Sequence, residues 1–125
     1  MKPIFILSQP RSGSTLLQKI LTHHDQIHST SECWFMLSLQ SVWNCDGCLS
    51  FYGSRTASSA FVNMFSKEEL SRESFLKAAR LFAEQVYSDA CEGESAVYFI
   101  DKTPRYFWIA DDLIDIFPDA KFIFL

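Results

Sequence analysis

The feature that most restricts the fold of this chain is an unbroken apolar run followed by a tight turn and an amphipathic helix. Residues 3–8 form a continuous apolar segment of strand length, which is typical of a parallel strand buried on both faces. A turn-rich stretch follows, and helical periodicity begins at Ser14. The apolar face of this helix is predicted to comprise Leu16, Leu17, Ile20 and Leu21, with Gln18, Lys19 and Thr22 on the opposite face.

The rest of the chain alternates predicted strands with segments of helical periodicity. The predicted strands cover residues 27–30, 96–100 and 121–125. The predicted helices are residues 33–42, a long helix between a capping box at 66–69 and Gly93, and a helix opened by Thr103-Pro104 and stopped by Pro118. Residues 43–53 are predicted to form an irregular loop. This alternation is typical of a three-layer α/β domain with a parallel sheet, and residues 1–125 are interpreted as part of one domain.

Periodicity also predicts which helix faces are buried. The long helix is expected to bury Phe75, Ala78, Ala79, Phe82, Val86 and Ala90, and the last helix to bury Phe107, Ala110, Leu113, Ile114 and Phe117.

Composition excludes several classes of protein. The 125 residues are 48% hydrophobic, which is ample for a packed core, and 11 Lys and Arg against 15 Asp and Glu leave a formal charge of −4. Without a general basic surface, a nucleic-acid partner is not expected. The apolar runs are far shorter than the ~20 residues of a membrane-spanning helix, and the first one is too short for a secretory signal. We therefore expect a cytoplasmic chain.

Four cysteines raise the question of a metal or redox site. Cys45 and Cys48 have CxxC spacing, and Cys33 and Cys91 stand alone. A structural zinc site usually needs four ligands, and no second close pair is present. Reduced thiols and no metal are the preferred interpretation.

The loop after the first predicted strand is the first candidate for a binding site. Its sequence is Gln9-Pro10-Arg11-Ser12-Gly13-Ser14-Thr15. Where a buried strand delivers a Gly-containing loop to a helix amino terminus, unpaired backbone N–H groups and the helix dipole attract anions. Gly13 allows close approach to the backbone, the hydroxyls add donors and Arg11 adds a full charge. The pattern predicts a phosphate-binding loop.

A nucleotide kinase or NTPase is the first alternative, but the GxxxxGK[ST] pattern is incomplete. Ser14 stands where the lysine is needed, and Ser8 stands where the first glycine is needed. One feature supports this alternative, because the apolar run ending at Asp101 has the form of a strand that holds Mg²⁺. A third interpretation is a nucleotide-binding fragment without catalysis.

Three segments, in order, resemble one family. Pro10-Arg11-Ser12-Gly13-Ser14-Thr15-Leu16-Leu17 is similar to the 5′-phosphosulfate loop of sulfotransferases that use 3′-phosphoadenosine 5′-phosphosulfate (PAPS). Ile100-Asp101-Lys102-Thr103-Pro104-Arg105 resembles the Lys-x-Pro segment of the tyrosylprotein and bacterial branches. Residues 117–125 resemble the helix end and strand that lead into the 3′-phosphate motif. By this resemblance the chain is the amino-terminal portion of a sulfotransferase domain that ends inside a strand.

The resemblance implies a P-loop-like α/β fold and a metal-free reaction with PAPS as co-substrate. It implies that Arg11 contacts the transferring sulfuryl group and leaving phosphate, and that Lys102 adds charge at the bridging oxygen. The 5′-phosphate would be held by Ser12, Gly13, Ser14 and Thr15. The acceptor would be a hydroxyl of a sugar, phenol, peptide or lipid, and the oligomeric state stays open.

Glu32 is the predicted general base, since it follows a predicted strand and a similarly placed glutamate is the proposed base in the tyrosylprotein and carbohydrate branches. The alternatives are that Glu32 caps the next helix, or that His28 is the base. Cys33-Trp34 stands where the family often has Glu-Pro or Glu-Thr-Arg, so the resemblance does not assign the local acceptor contacts. Four aromatic residues are candidates for either an acceptor pocket or the core, namely Trp34, Phe35, Trp43 and Phe51, and Arg105 is either a ligand or a solvated residue.

Overall fold

The computed structural model describes residues 1–44, 53–65 and 72–125. The elements in these ranges are β1 (Lys2–Leu7), α1 (Ser14–Leu21), β2 (Ile27–Ser29), α2 (Phe35–Asn44), α3 (Ser54–Phe65), α4 (Arg72–Ala90), β3 (Tyr98–Asp101), a 3₁₀ helix (Tyr106–Ile109), α5 (Ala110–Ile116) and β4 (Lys121–Phe124). Every predicted strand is confirmed with small shifts in its ends. The predicted capping box at 66–69, Phe51 and the Cys45–Cys48 pair lie outside the described residues.

Helix α3 was not predicted by any pattern in the sequence. Its sequence, SRTASSAFVNMF, is rich in Ser, Thr and Asn, which compete for backbone hydrogen bonds and weaken the helical signal. Tertiary contacts supply what propensity lacks, since the buried Ser58 donates its hydroxyl to the Trp43 carbonyl of α2 at 3.2 Å.

The four strands form one parallel sheet in the order β2-β3-β1-β4. Phe5 of β1 lies opposite Asp101 of β3 on one side and Phe122 of β4 on the other. Because all strands run the same way, the segments that follow β1, β2 and β3 emerge at the same edge of the sheet. This edge carries the loop before α1, the segment after Ser29 and Lys102.

Alternate side chains of β1 enter two separate cores. Phe5 and Leu7 face a core shared with α2, α4, the 3₁₀ helix and α5. Ile4 and Ile6 face the opposite core, where α1 contributes Leu17 and Leu21. Helices thus cover both faces of the sheet, and the predicted three-layer α/β architecture is confirmed.

The buried face of α4 differs from the predicted one. The residues it buries lie on a strict four-residue row, Phe75, Ala79, Ala83 and Tyr87. Ala78, Ala90 and Phe82, which were predicted to be buried, are exposed, Phe82 by 53%. Helical periodicity could not distinguish two adjacent apolar rows on this helix. The buried row is the one that contains Tyr87, whose hydroxyl donates a hydrogen bond to Asp101 inside the core.

The predicted faces of α1 and of the last helix were wrong for five residues. Leu16 and Ile20 of α1 are exposed by 65% and 58%, while Gln18, predicted to face outward, is buried. Gln18 is buried because its amide donates to the Ser29 hydroxyl and to the Thr30 carbonyl. Phe107 and Ile114 are also exposed, since the segment after Pro104 begins as a 3₁₀ helix whose three-residue turns shift the predicted face.

Candidate functional site

The strand order brings the predicted site residues to one crevice. β3 lies between β2 and β1, so Lys102, which follows β3, lies between the segment after β2 and the loop after β1. The chain leaves β1 through α1 on one face of the sheet and leaves β3 through α5 on the other. Ligands of parallel α/β sheets bind at such a point, beyond the carboxyl ends of strands whose connections diverge.

The loop between β1 and α1 has the backbone geometry of an anion site. Arg11 and Gly13 have positive φ angles of 68° and 88°, and a non-glycine residue in this region is typical of functional loops. The Gly13 carbonyl accepts the N–H groups of Leu16 and Leu17, and no side chain caps the helix. Within the described residues the N–H groups of Ser14 and Thr15 therefore have no acceptor, and they are free for an anion.

Two observations test whether a phosphate fits this loop. Beyond its chain neighbours, no heavy atom lies within 4 Å of where a Gly13 Cβ would stand, so there is open space beside this glycine. The hydroxyl of Ser8, the residue after β1, is buried with no hydrogen-bond partner in the part of the chain that is described. The open space beside Gly13 leaves room for an oxygen-rich anion next to the loop backbone.

The predicted donor-binding residues do not share one environment. Ser14 is buried, whereas Arg11, Ser12 and Thr15 are exposed. Within the described ranges Arg11 makes no ion pair with an acidic side chain, so its guanidinium is available to a ligand.

Glu32 and Lys102 form the central pair of the site. The Lys102 ammonium donates to Oε1 of Glu32 at 2.7 Å, and the lysine side chain is only 5% exposed. The indole N–H of Trp34 donates to Oε2 of the same carboxylate at 3.1 Å. Both carboxylate oxygens are thus held in place, one by a cation and one by a neutral donor.

The alternative assignments for this region are not favoured by the geometry. α2 begins at Phe35, and the N–H groups of Trp34 and Met36 bond Thr103 and Tyr106 rather than Glu32. The carboxylate therefore does not cap the helix. His28 lies on β2 with its ring 6.2 Å from that of Phe99, on the sheet face opposite to Ser29.

A cavity of about 390 Å³ adjoins the pair. The residues that line it all have polar or charged side chains and belong to α1, to the segment after β2 and to the residue after β3, namely Thr15, Gln18, Lys19, Thr22, Ser29, Thr30, Ser31, Glu32 and Lys102. One space therefore reaches from the first turn of the loop helix to the Glu32 carboxylate. A second cavity of about 460 Å³ lies beyond the ends of β1 and β4 and is mainly apolar, lined by Leu7, Ser8, Gln9, Phe107, Phe124 and Leu125.

The aromatic candidates divide between core and site. Trp43 stacks on Phe75 at 5.0 Å between ring centroids, and Phe35 packs on Tyr87 at 5.4 Å, so both belong to the core. Trp34 contacts the site through its bond to Glu32. Arg105 is exposed, with its guanidinium 4.8 Å from the Trp108 ring centroid.

Asp101, considered above as a magnesium ligand, is instead enclosed in the core. It is fully buried and accepts hydroxyl hydrogen bonds from Tyr87 at 2.7 Å, Tyr106 at 3.0 Å and Thr103 at 3.3 Å. Burial raises the pKa of Asp101 to about 6, against the opposing effect of the hydroxyl donors. Among the described residues, no group of three or more His, Cys, Asp or Glu is placed to hold a metal ion.

The nearby Cys33 is a free thiol whose pKa is raised to about 12, mainly by burial and further by the charge of Asp101. Such a thiol stays protonated and is a poor nucleophile. No described helix is both long and apolar enough to cross a membrane.

Sequence comparisons agree with the geometry of the loop and the crevice. The model of the "Sulfotransferase family" matches residues 3–125. A similar protein is the "Nodulation protein NoeE" of Sinorhizobium fredii (strain NBRC 101917 / NGR234), which is 33% identical over 121 residues. The match covers 97% of this chain and 27% of that relative. Because the family model matches almost the whole length of the chain, the chain belongs to the sulfotransferase family.

Proposed function

We propose that this chain forms the donor loop and the proton-accepting centre of a sulfotransferase that moves a sulfuryl group from PAPS to a hydroxyl. The observation that carries the proposal is the Lys102–Glu32 pair, which opens onto the same cavity as Thr15. A cation and a carboxylate held this close provide the two charges that such a transfer needs.

The donor would be held by the loop. The free N–H groups of Ser14 and Thr15, with the hydroxyls of the loop, would bind the 5′-phosphate, and Gly13 would allow its close approach. Arg11 would neutralise the equatorial oxygens of the sulfuryl group. PAPS itself supplies the activated sulfuryl group.

The transfer step requires two residues of the crevice. Glu32 would accept the proton of the acceptor hydroxyl while the acceptor oxygen bonds to sulfur. As the bond between sulfur and the bridging phosphate oxygen breaks, Lys102 would neutralise the charge on that oxygen. The acceptor hydroxyl would belong to a sugar, phenol, peptide or lipid, because the chemistry at Glu32 is the same for each.

We also propose a cytoplasmic location. The described cysteines Cys33 and Cys91 are both free, which is the usual state in a reducing compartment.

The proposal is tested in the full-length protein by comparing Glu32→Gln with Glu92→Gln. Glu92 is exposed in the turn after α4, before the start of β3 and so at the opposite edge of the sheet. We expect Glu32→Gln to lower sulfuryl transfer from radiolabelled PAPS by about 10²-fold or more, with little change in PAPS affinity by calorimetry. Glu92→Gln should behave as the parent protein. Full activity in Glu32→Gln would reject Glu32 as the base, and PAPS binding without any transfer in the parent would favour a binding module.

A further inference from the structure

A buried hydrogen-bond network connects the end of β3 to the start of α2. Its centre is Asp101, whose carboxylate accepts hydrogen bonds from three hydroxyls. Tyr87 reaches it from α4, Tyr106 from the 3₁₀ helix and Thr103 from two residues along the same segment. The three donors therefore come from three different parts of the core.

Two of the hydroxyls also accept backbone N–H groups. Thr103 Oγ1 accepts the N–H of Trp34 at 3.2 Å, and the Tyr106 hydroxyl accepts the N–H of Met36 at 3.3 Å. The first N–H groups of a helix have no intrahelical acceptor. At α2 two of them are satisfied by side chains from the β3 side of the sheet, so the start of this helix is attached to Asp101.

The charge of Asp101 orients the hydroxyl protons of this network. A carboxylate can only accept, so each hydroxyl turns its proton towards Asp101 and its lone pairs towards the backbone N–H. Without that acceptor, nothing fixes the orientation of the hydroxyl protons, and the two N–H groups are held less firmly. The geometry of α2's first turn depends on where these protons point.

The attached segment carries the predicted base. Trp34 has a positive φ of 58°, and its indole N–H holds Oε2 of Glu32 at 3.1 Å. The other oxygen of Glu32 is held by Lys102, the residue that follows Asp101. The bonds thus form a closed ring from Asp101 through Thr103, Trp34, Glu32 and Lys102 back to Asp101.

We propose that Asp101, acting through Thr103 and Tyr106, is a positioning residue that orients the Glu32 carboxylate for proton transfer. This inference rests on the proposed function of Glu32. Besides the three hydroxyls, Cys33 is the other titratable group against Asp101, and it belongs to the same segment between β2 and α2. Lys102 is directed at Glu32 and not at Asp101.

Tyr87 and Tyr106 provide a matched pair for the test. Both are fully buried, and both donate to the same oxygen of Asp101. Only Tyr106 also accepts a backbone N–H from α2. Removing either hydroxyl takes one hydrogen bond from Asp101, but only Tyr106→Phe also removes the acceptor of the Met36 N–H and so loosens the start of α2, next to Trp34 and Glu32.

In the full-length protein, Tyr106→Phe should lower kcat by about 10-fold with the KM for PAPS unchanged, since a small displacement of the base affects the chemical step. Tyr87→Phe should leave kcat within about twofold, although thermal melts should show both variants destabilised. Thr103→Val should reproduce the loss of kcat, and Thr103→Ser, which keeps the hydroxyl, should restore it. The threonine pair keeps the test decisive if Tyr106→Phe folds poorly.

A double-mutant cycle separates this proposal from the proposed function. In the Glu32→Gln background, Tyr106→Phe should cause no further loss of kcat, because it acts through Glu32. An undiminished loss there, or equal loss in Tyr87→Phe and Tyr106→Phe, would overturn the positioning role alone. Full turnover in Glu32→Gln would overturn the assignment of the base and this proposal with it.

Discussion

Asp101 shows how a single carboxyl responds to complete burial. Desolvation raises its pKa to about 6, and the three hydroxyl donors offset only part of that effect. A carboxyl whose pKa is higher in the folded than in the unfolded state holds its proton more tightly when folded. Its contribution to stability is therefore present at low pH and is lost as the pH rises through about 6.

The prediction concerns the pH dependence of unfolding. Between pH 4 and pH 6.5 the free energy of unfolding of the parent protein should fall relative to that of Asp101→Asn, because the amide does not titrate in this range. Above pH 7 the difference should be constant. Urea denaturation at half-unit pH intervals measures it, and parallel curves across the whole range would contradict the raised pKa.

Arg11 is the loop residue whose charge is most available to a ligand. It is exposed at a positive φ and makes no ion pair in the described parts of the chain. Arg11→Ala should lower turnover by about 10²-fold while weakening PAPS affinity much less, because charge builds up in the transition state. Steady-state kinetics with a nucleotide titration checks this. Arg55→Ala, at an exposed position of α3, is the matched control, and an Arg11 variant as active as this control would reject the role.

At the scale of the element, α4 demonstrates that packing selects one of two apolar rows. Ala83 is fully buried against the sheet, whereas Ala78 is exposed although periodicity placed it inside. Ala83→Leu should destabilise the protein by about 1–3 kcal/mol through overpacking. Ala78→Leu should change stability by less than about 0.5 kcal/mol. An equal or larger loss of stability in Ala78→Leu would contradict the burial of the Ala83 row.

At the scale of the whole molecule, the sheet order brings a lysine from another strand to the edge that carries this loop, which lacks the lysine of a nucleoside-triphosphate site. Ser14 occupies the lysine position, and Asp101 is committed to three hydroxyls. The cation beside the crevice is instead Lys102, delivered by β3 between its two neighbours. PAPS binding should therefore be the same in EDTA as in Mg²⁺ by calorimetry. Binding that needs Mg²⁺ would favour a kinase or NTPase.

The sequence alone predicted the features that depend on local physics. Continuous apolar runs predicted β1, β3 and β4, because a parallel strand that is buried on both faces is mostly apolar. The strand predicted at 27–30 has no such run, and β2 is only half-buried. The loop before Ser14 predicted an anion site, because its glycine, its hydroxyls and its place before a helix are adjacent in the chain. Glu32 and Lys102 could each be identified from the sequence because each follows a predicted strand in its own segment.

Tertiary structure decided what depends on distant partners. The pairing of Glu32 with Lys102 joins residues 70 positions apart, and only the strand order β2-β3-β1 brings them together. Burial of Gln18, Asp101 and Tyr87 was likewise beyond a hydrophobicity pattern, since a polar group can be buried only where distant residues satisfy its hydrogen bonds. A hydrophobicity pattern predicts which apolar residues are buried, whereas the tertiary structure determines which buried polar groups have hydrogen-bond partners.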